Sequence, residues 1–150
     1  MRAVIQRVLE ASVEAEGRTV SQIGGGLLVL LGVEDGDTLE DVSWLSGKVA
    51  KLRIFSDSEG KMNQSVTEAD GEIIVVSQFT LHASTKKGNR PSFLKSAAPA
   101  VSEPLYEQFC AGLERETAKS VGRGIFGAEM KVALVNDGPV TILIDSRARE

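Results

Sequence analysis

A chain of 150 residues suffices for one domain with a real core and is short for two. Its 42% hydrophobic and 25% charged residues place it among ordinary globular proteins and argue against disorder. The net charge of -4 argues against a surface built to coat nucleic acid, so DNA is not an expected partner.

No apolar run approaches the ~20 residues of a membrane span. Leu27 to Val33 is too short, and Met1 to Ile5 opens no signal peptide, so the expected location is the cytoplasm. Cys110 is the only cysteine, which permits no internal disulfide, and His82 is the only histidine. Neither belongs to a cluster with zinc-ligand spacing, so no metal or other cofactor is expected.

In chain order, Ala3 to Ala15 carries apolar Val4, Val8 and Val13 among charged residues. The Glu16-Gly17 turn signal then leads into Arg18 to Ile23, and the pattern predicts a hairpin over 2–23. Gly24-Gly25-Gly26 precedes the strand Leu27 to Val33, which reads as buried on both faces. With no Gly-Lys-Ser/Thr following, those glycines are a turn and not a phosphate loop. Asp37 or Thr38 can cap a helix running to about Leu52. An extended piece, Arg53 to Phe55, ends in the turn-rich Ser56 to Gly60, where Asp57 and Glu59 lack the other ligands of a calcium loop.

Gly71 to Leu81 is expected as one strand with Ile73 to Val76 as its buried body, and 83–93 as a loop. A second helix is predicted over Val101 to Lys119, with Cys110 as a buried thiol. Glu129 to Val135 and Val140 to Ile144 read as two strands joined by an Asn136-Asp137-Gly138-Pro139 turn, followed by a polar tail at 146–150. The whole is one mixed α/β domain over 1–150 with two main helices and no internal repeat.

Two segments carry candidate chemistry. Ser77, Gln78, Phe79 and Thr80 follow directly on a buried strand, a rigid place to present functional groups, although spacing alone favours reading them as the strand's last residues. Gly138-Pro139 reads locally as a turn. A hydrolase triad built on Ser77 or Thr80 needs a base, and His82 is the only histidine, two residues from Thr80 and on the same face of an extended strand. No Gly-x-Ser-x-Gly elbow surrounds either hydroxyl, so a conventional triad is not expected, and a route in which oriented backbone N–H groups stabilise an oxyanion while a substrate hydroxyl assists the water stays open. Between Ile73 and Ser102 there is no acidic residue, while Lys86, Lys87, Arg90 and Lys95 fall inside. That stretch reads either as a solvated loop or as a phosphate-contacting rim.

The opening Met1 to Val8, Arg53 to Asp57, Gly60 to Asn63, Ser77 to Leu81, Arg90-Pro91-Ser92-Phe93 and Asn136 to Thr141 together resemble the D-aminoacyl-tRNA deacylase family, in order and to about Ile144. The resemblance implies a three-layer α/β fold with barrel-like strands, and a homodimer whose active sites lie at the subunit interface. It implies hydrolysis of the ester joining a D-amino acid to the tRNA 3′ end. Ser77 to Thr80 would form the first active-site motif, and Gly138-Pro139, with a cis bond, the second, entering the partner's pocket to reject L-amino acids. Phe126 and Met130 match pocket positions, and Arg7 a position supporting the Gly-Pro loop. Glycyl-tRNA would escape such a steric filter. Two other readings remain: a same-fold deacylase of mischarged L-aminoacyl-tRNA, and a non-catalytic dimer that binds tRNA ends.

Overall fold

The computed structural model describes residues 1–150. β1 (Arg2–Ala15) and β2 (Arg18–Ile23) form the expected antiparallel hairpin, turned at Glu16 and Gly17, both with positive φ. β3 (Gly26–Gly32) follows, and then α1 (Leu39–Ala50), capped by Thr38. The Thr38 hydroxyl oxygen accepts from the Glu40 amide at 3.3 Å, and Asp41 accepts from the Thr38 amide at 2.9 Å, so two otherwise orphaned donors are satisfied. β4 (Phe55–Ser56) and β5 (Met62–Gln64) make a small separate hairpin. β6 (Glu72–Ser77), α2 (Pro99–Thr117), β7 (Gly122–Arg123) and β8 (Met130–Asp145) complete the chain. Neither helix is long and apolar enough to cross a membrane.

β8 runs antiparallel along one edge of β1 for almost its whole length, from Arg2 opposite Asp145 to Ala15 opposite Met130. β3 and β2 share the other edge, β3 against Arg2–Val8 and β2 against Ala11–Ala15. β6 lies parallel to β3, and β7 parallel to β6. The sheet curls until its ends meet: the Ser21 hydroxyl of β2 donates to the Arg123 carbonyl of β7 at 2.8 Å. The result is a nearly closed, barrel-like sheet.

That curl separates two cores. Ala3, Ile5, Leu27, Val29, Leu31, Ile73 and Val75 face α1 and α2, meeting Leu45, Val49, Phe109 and Leu113. Val8, Ala11, Val13, Ile23, Leu28, Ile74 and Val76 pack inside the curl. β1 serves both with its two faces, Ala3 and Ile5 on one and Val8 on the other, and the register shift between Val8 and Glu10 adds one residue that brings Ala11 and Val13 onto the face of Val8. Cys110 is fully buried in the first core, and burial pushes its thiol up to about 12, which leaves it protonated and inert at neutral pH.

Two expectations are corrected. The strand at 71–81 ends at Ser77, and Phe79–His82 forms a 3-10 helix. Residues 129–144 do not form a hairpin, because β8 is one strand and Asn136 to Pro139 is a bulge within it. Gln6 faces Thr141 while Val8 faces Asn136, so residues 137–140 all stand opposite Arg7. The polar tail starts from a buried residue: the Ser146 hydroxyl donates to Asp41 at 2.6 Å and accepts from the Met1 ammonium at 3.0 Å.

Candidate active site

The site begins where β6 runs out. Ile73 to Val76 are buried on both faces, and the Gln78 amide makes one more ladder bond, to the Leu31 carbonyl at 2.7 Å. The chain then turns into the 3-10 helix because β3 offers no side chain to hold it off. A Cβ on Gly32 would stand 3.0 Å from the Gln78 carbonyl oxygen, from Leu81 Cβ and from His82 Cδ2. Glycine at 32 therefore permits the helix to fold back across β3.

As the first residues of that helix, Phe79 and Thr80 present amides with no acceptor in the chain. Gln78 Nε2 donates to the Thr80 hydroxyl oxygen, which leaves the Thr80 proton free for another acceptor. The Phe79 carbonyl is held by the Ser96 hydroxyl at 2.8 Å, and the Phe79 ring meets Phe93 edge-on at 5.1 Å. Ser77, Gln78 and Phe79 line a cavity of about 640 Å³, together with Leu31, Val76, Phe93, Tyr106, Phe126, Met130 and Val132. Its wall is mainly apolar with a few convergent polar groups, the composition of a small-molecule site. Thr80 stands just outside the lining, exposed and tied to it through Gln78.

Phe126 and Met130 thus join Ser77, Gln78 and Phe79 in one cavity, on the far wall. Phe93, which the resemblance included only within Arg90 to Phe93, also belongs to the site, as do Tyr106 and Ser96, which carried no signal of their own in the sequence. Tyr106 reads as a core residue of a helix, and it does donate to the Val75 carbonyl at 2.8 Å, with burial raising the pKa of its hydroxyl. Lys86, Lys87 and Arg90 lie on the exposed loop between Ser84 and Ser92, whose backbones pair at 2.8 and 2.9 Å. With Lys95 they form no ion pair within the chain, and Phe93 connects their loop to the cavity wall.

The expected face shared by Thr80 and His82 does not exist, because 79–82 is helical and not extended. His82 is 1% exposed, and its ring nitrogens have no hydrogen-bond partner. The nearest carboxylate oxygen, on Glu34, is 4.0 Å away, and burial lowers the imidazole pKa. His82 is a neutral core residue and is not placed to serve Thr80 as a base. No three His, Cys, Asp or Glu side chains are grouped so as to hold a metal ion.

Gly138 and Pro139 do not line this cavity; they project, exposed, from the β8 bulge, with the peptide bond between them cis. The bulge is held from below. Arg7 Nε donates to the Asp137 carbonyl and lies 3.0 Å from its carboxylate, while Arg7 Nη1 donates to the Ile54 carbonyl. Asn136 Nδ2 donates to the Arg7 carbonyl at 2.9 Å and to the Val140 carbonyl at 3.1 Å. A Cβ on Gly138 would collide with the Asn136 amide oxygen and come within 2.9 Å of the Val140 nitrogen, so only glycine fits.

The model of the family "D-Tyr-tRNA(Tyr) deacylase" matches residues 4–145. A "D-aminoacyl-tRNA deacylase" of Flavobacterium johnsoniae is 60% identical over 150 residues, covering 100% of both chains. One of Bacteroides thetaiotaomicron is 57% identical with the same coverage. Among solved structures, one described as "c-Myc DNA Unwinding Element Binding Protein" matches with a TM-score of 0.90 at 40% identity, over 97% of this chain and 98% of the other. A probable eukaryotic D-amino acid tRNA deacylase matches with a TM-score of 0.80 at 20% identity, over 95% and 97%, a likeness of fold. The sequence match across the full length and the cavity at the end of β6 lead to one assignment: this chain belongs to the D-Tyr-tRNA(Tyr) deacylase family.

Proposed function

We propose that this protein hydrolyses the ester bond between a D-amino acid and the 3′-terminal ribose of tRNA, releasing both. The observation that carries the reading is the pair of unengaged amides, Phe79 and Thr80, at the mouth of an apolar cavity. An aminoacyl ester needs little activation. Two fixed donors facing the carbonyl stabilise the charge that develops as water attacks, without reorganising at the moment of reaction. Thr80, accepting from Gln78, turns its own proton toward the substrate as an orienting group. Since no imidazole or carboxylate is placed beside it, the ribose 2′-hydroxyl assists the water and no acyl-enzyme accumulates. The apolar wall of Phe93, Phe126 and Met130 receives the terminal adenosine, and Lys86, Lys87, Arg90 and Lys95 hold the preceding phosphates. The enzyme acts in the cytoplasm, where charged tRNA is used.

Chirality in this reading is enforced across a homodimer. Gly138-Pro139 does not line its own cavity and projects on a bulge braced by Arg7 and Asn136, which supports a role toward another chain. Its backbone carbonyls accept the amino group of a D-substrate, and the side chain of an L-substrate meets the loop. Glycyl-tRNA, lacking a side chain, passes the filter.

The primary test is release of D- and L-tyrosine from matched charged tRNAs. Release of D-tyrosine alone is expected, and equal or preferential release of L-tyrosine overturns the reading. The cross-subunit part is tested by a heterodimer of a Thr80→Ala subunit and a subunit with Gly138 and Pro139 replaced. One composite site stays intact, so about half the wild-type activity should remain, whereas inactivity would place both motifs in one subunit's site.

A further inference from the structure

We propose that Gly124 fixes the depth of the substrate cavity by housing the thioether of Met130, and so determines specificity from a position outside the cavity lining. The inference rests on the reading that this cavity receives the acylated 3′ end of the tRNA. Gly124 follows β7, and its amide donates to the Val75 carbonyl at 3.4 Å. Its φ is not among the positive ones, so the backbone itself does not require glycine.

The space beside it does. A Cβ built on Gly124 falls inside 3.0 Å of Met130 Sδ, nearer than real Cβ atoms come to any heavy atom. The other neighbours, Met130 Cε at 3.5 Å and Val13 Cγ1 at 3.8 Å, are at ordinary contact distances. A single sulfur atom is therefore the whole obstacle. The Met130 backbone cannot retreat, because it is paired with Ala15 at the start of β8. The side chain must swing instead, and one side of it is packed against the buried cluster of Val8, Val13 and Val76. Two directions are open, the substrate cavity and a shallower pocket beside Glu14 to Gly17 that Met130 also lines, and on this proposal the thioether enters the first. A methyl group added at 124 is thus transmitted into the substrate space by way of the thioether. The amides of Phe79 and Thr80 stand on a different element and are left where they are.

The test is Gly124→Ala, alone and combined with Met130→Ala. The single variant should raise KM for D-tyrosyl-tRNA about fivefold, the low end of what overpacking by one methyl group costs. Its kcat should stay within about twofold, as expected when only binding space is lost. On the Met130→Ala background, where no sulfur remains to be displaced, the same substitution should leave KM unchanged. Methyl-labelled methionine NMR supplies a readout independent of activity: of Met1, Met62 and Met130, only the Met130 resonance should shift in Gly124→Ala.

An unmoved Met130 resonance, an unchanged KM in the single variant, or an equal KM increase on both backgrounds overturns the inference. Should Gly124→Ala fail to fold, the double variant carries the test, and it must fold and match Met130→Ala in KM. A wild-type protein inactive on D-tyrosyl-tRNA would instead overturn the functional reading, leaving the NMR result to judge the packing.

Discussion

Gly32→Ala should damage catalysis more than binding, because the new methyl group meets the one segment that carries the free amides. The added Cβ would stand 3.0 Å from three atoms at once: the Gln78 carbonyl oxygen, Leu81 Cβ and His82 Cδ2. Each must recede by about 0.4 Å to reach ordinary contact, and His82 cannot, being fully enclosed. The 3-10 helix therefore lifts as a unit and takes the Phe79 and Thr80 amides with it. Misplacing reacting groups by 1 Å costs on the order of 10²-fold, so a shift of this size should lower kcat about fivefold. KM should change less, since Phe126 and Met130 lie across the cavity on other elements. Overpacking should also remove about 1–3 kcal/mol of stability, readable in urea. The assay is steady-state release of D-tyrosine from its tRNA, run where the variant is fully folded. A folded variant with wild-type kcat would refute the claim that Gly32 sets the position of the amides.

Three further outcomes are expected. Asp37→Asn should cost about 3–5 kcal/mol in chemical denaturation, since Asp37 forms a fully buried ion pair with the Met1 ammonium at 2.8 Å; a loss under about 1 kcal/mol would contradict this. Lys86→Glu with Lys87→Glu should weaken tRNA binding and flatten the plot of log K against log salt by about 0.7 for each lost phosphate contact; unchanged slopes would assign both lysines to ordinary surface. His82 should make folding sensitive to mild acid. Its folded pKa lies below the ordinary 6.5, so the unfolded chain binds the proton first, and stability should fall as pH drops through 6.5 toward the folded value. His82→Leu should abolish that slope, which opens near 6.5, before the carboxylates Asp41 and Asp145, with lowered pKa values, begin to matter.

Much of the fold was legible because local and global preferences agree. The Glu16-Gly17 turn, the unbroken apolar run of β3, and the Thr38 cap each specify their element from neighbouring residues alone. The misread segments are those where a distant residue decides. Phe79-Thr80-Leu81-His82 has the composition of a strand end and becomes a 3-10 helix because Gly32, remote in sequence, makes room. Asn136-Asp137-Gly138-Pro139 has ideal turn chemistry, yet β1 is long enough to pair with both flanking segments and holds them in one line. The resemblance to a family located Ser77 to Thr80, Phe126 and Met130, and the fold shows five of those six lining one cavity. No pattern within a helix could have said that Tyr106 would join them, nor any pattern near Gly124 that a sulfur atom would fill the space beside it.

The abrupt end of β6 has a consequence for exchange with solvent. The amides of Ile74 to Val76 lie in a parallel ladder between β3 and β7 at the centre of both cores, and such hydrogens are released to deuterium only when the whole domain opens. Three residues beyond Val76, the amides of Phe79 and Thr80 have no acceptor and sit on exposed residues, so they exchange almost as fast as in a free peptide. Protection should therefore drop sharply just past Gln78, whose amide still donates to Leu31. Donors that water reaches freely, bolted to a segment that does not move, are donors a substrate can capture without reshaping the protein.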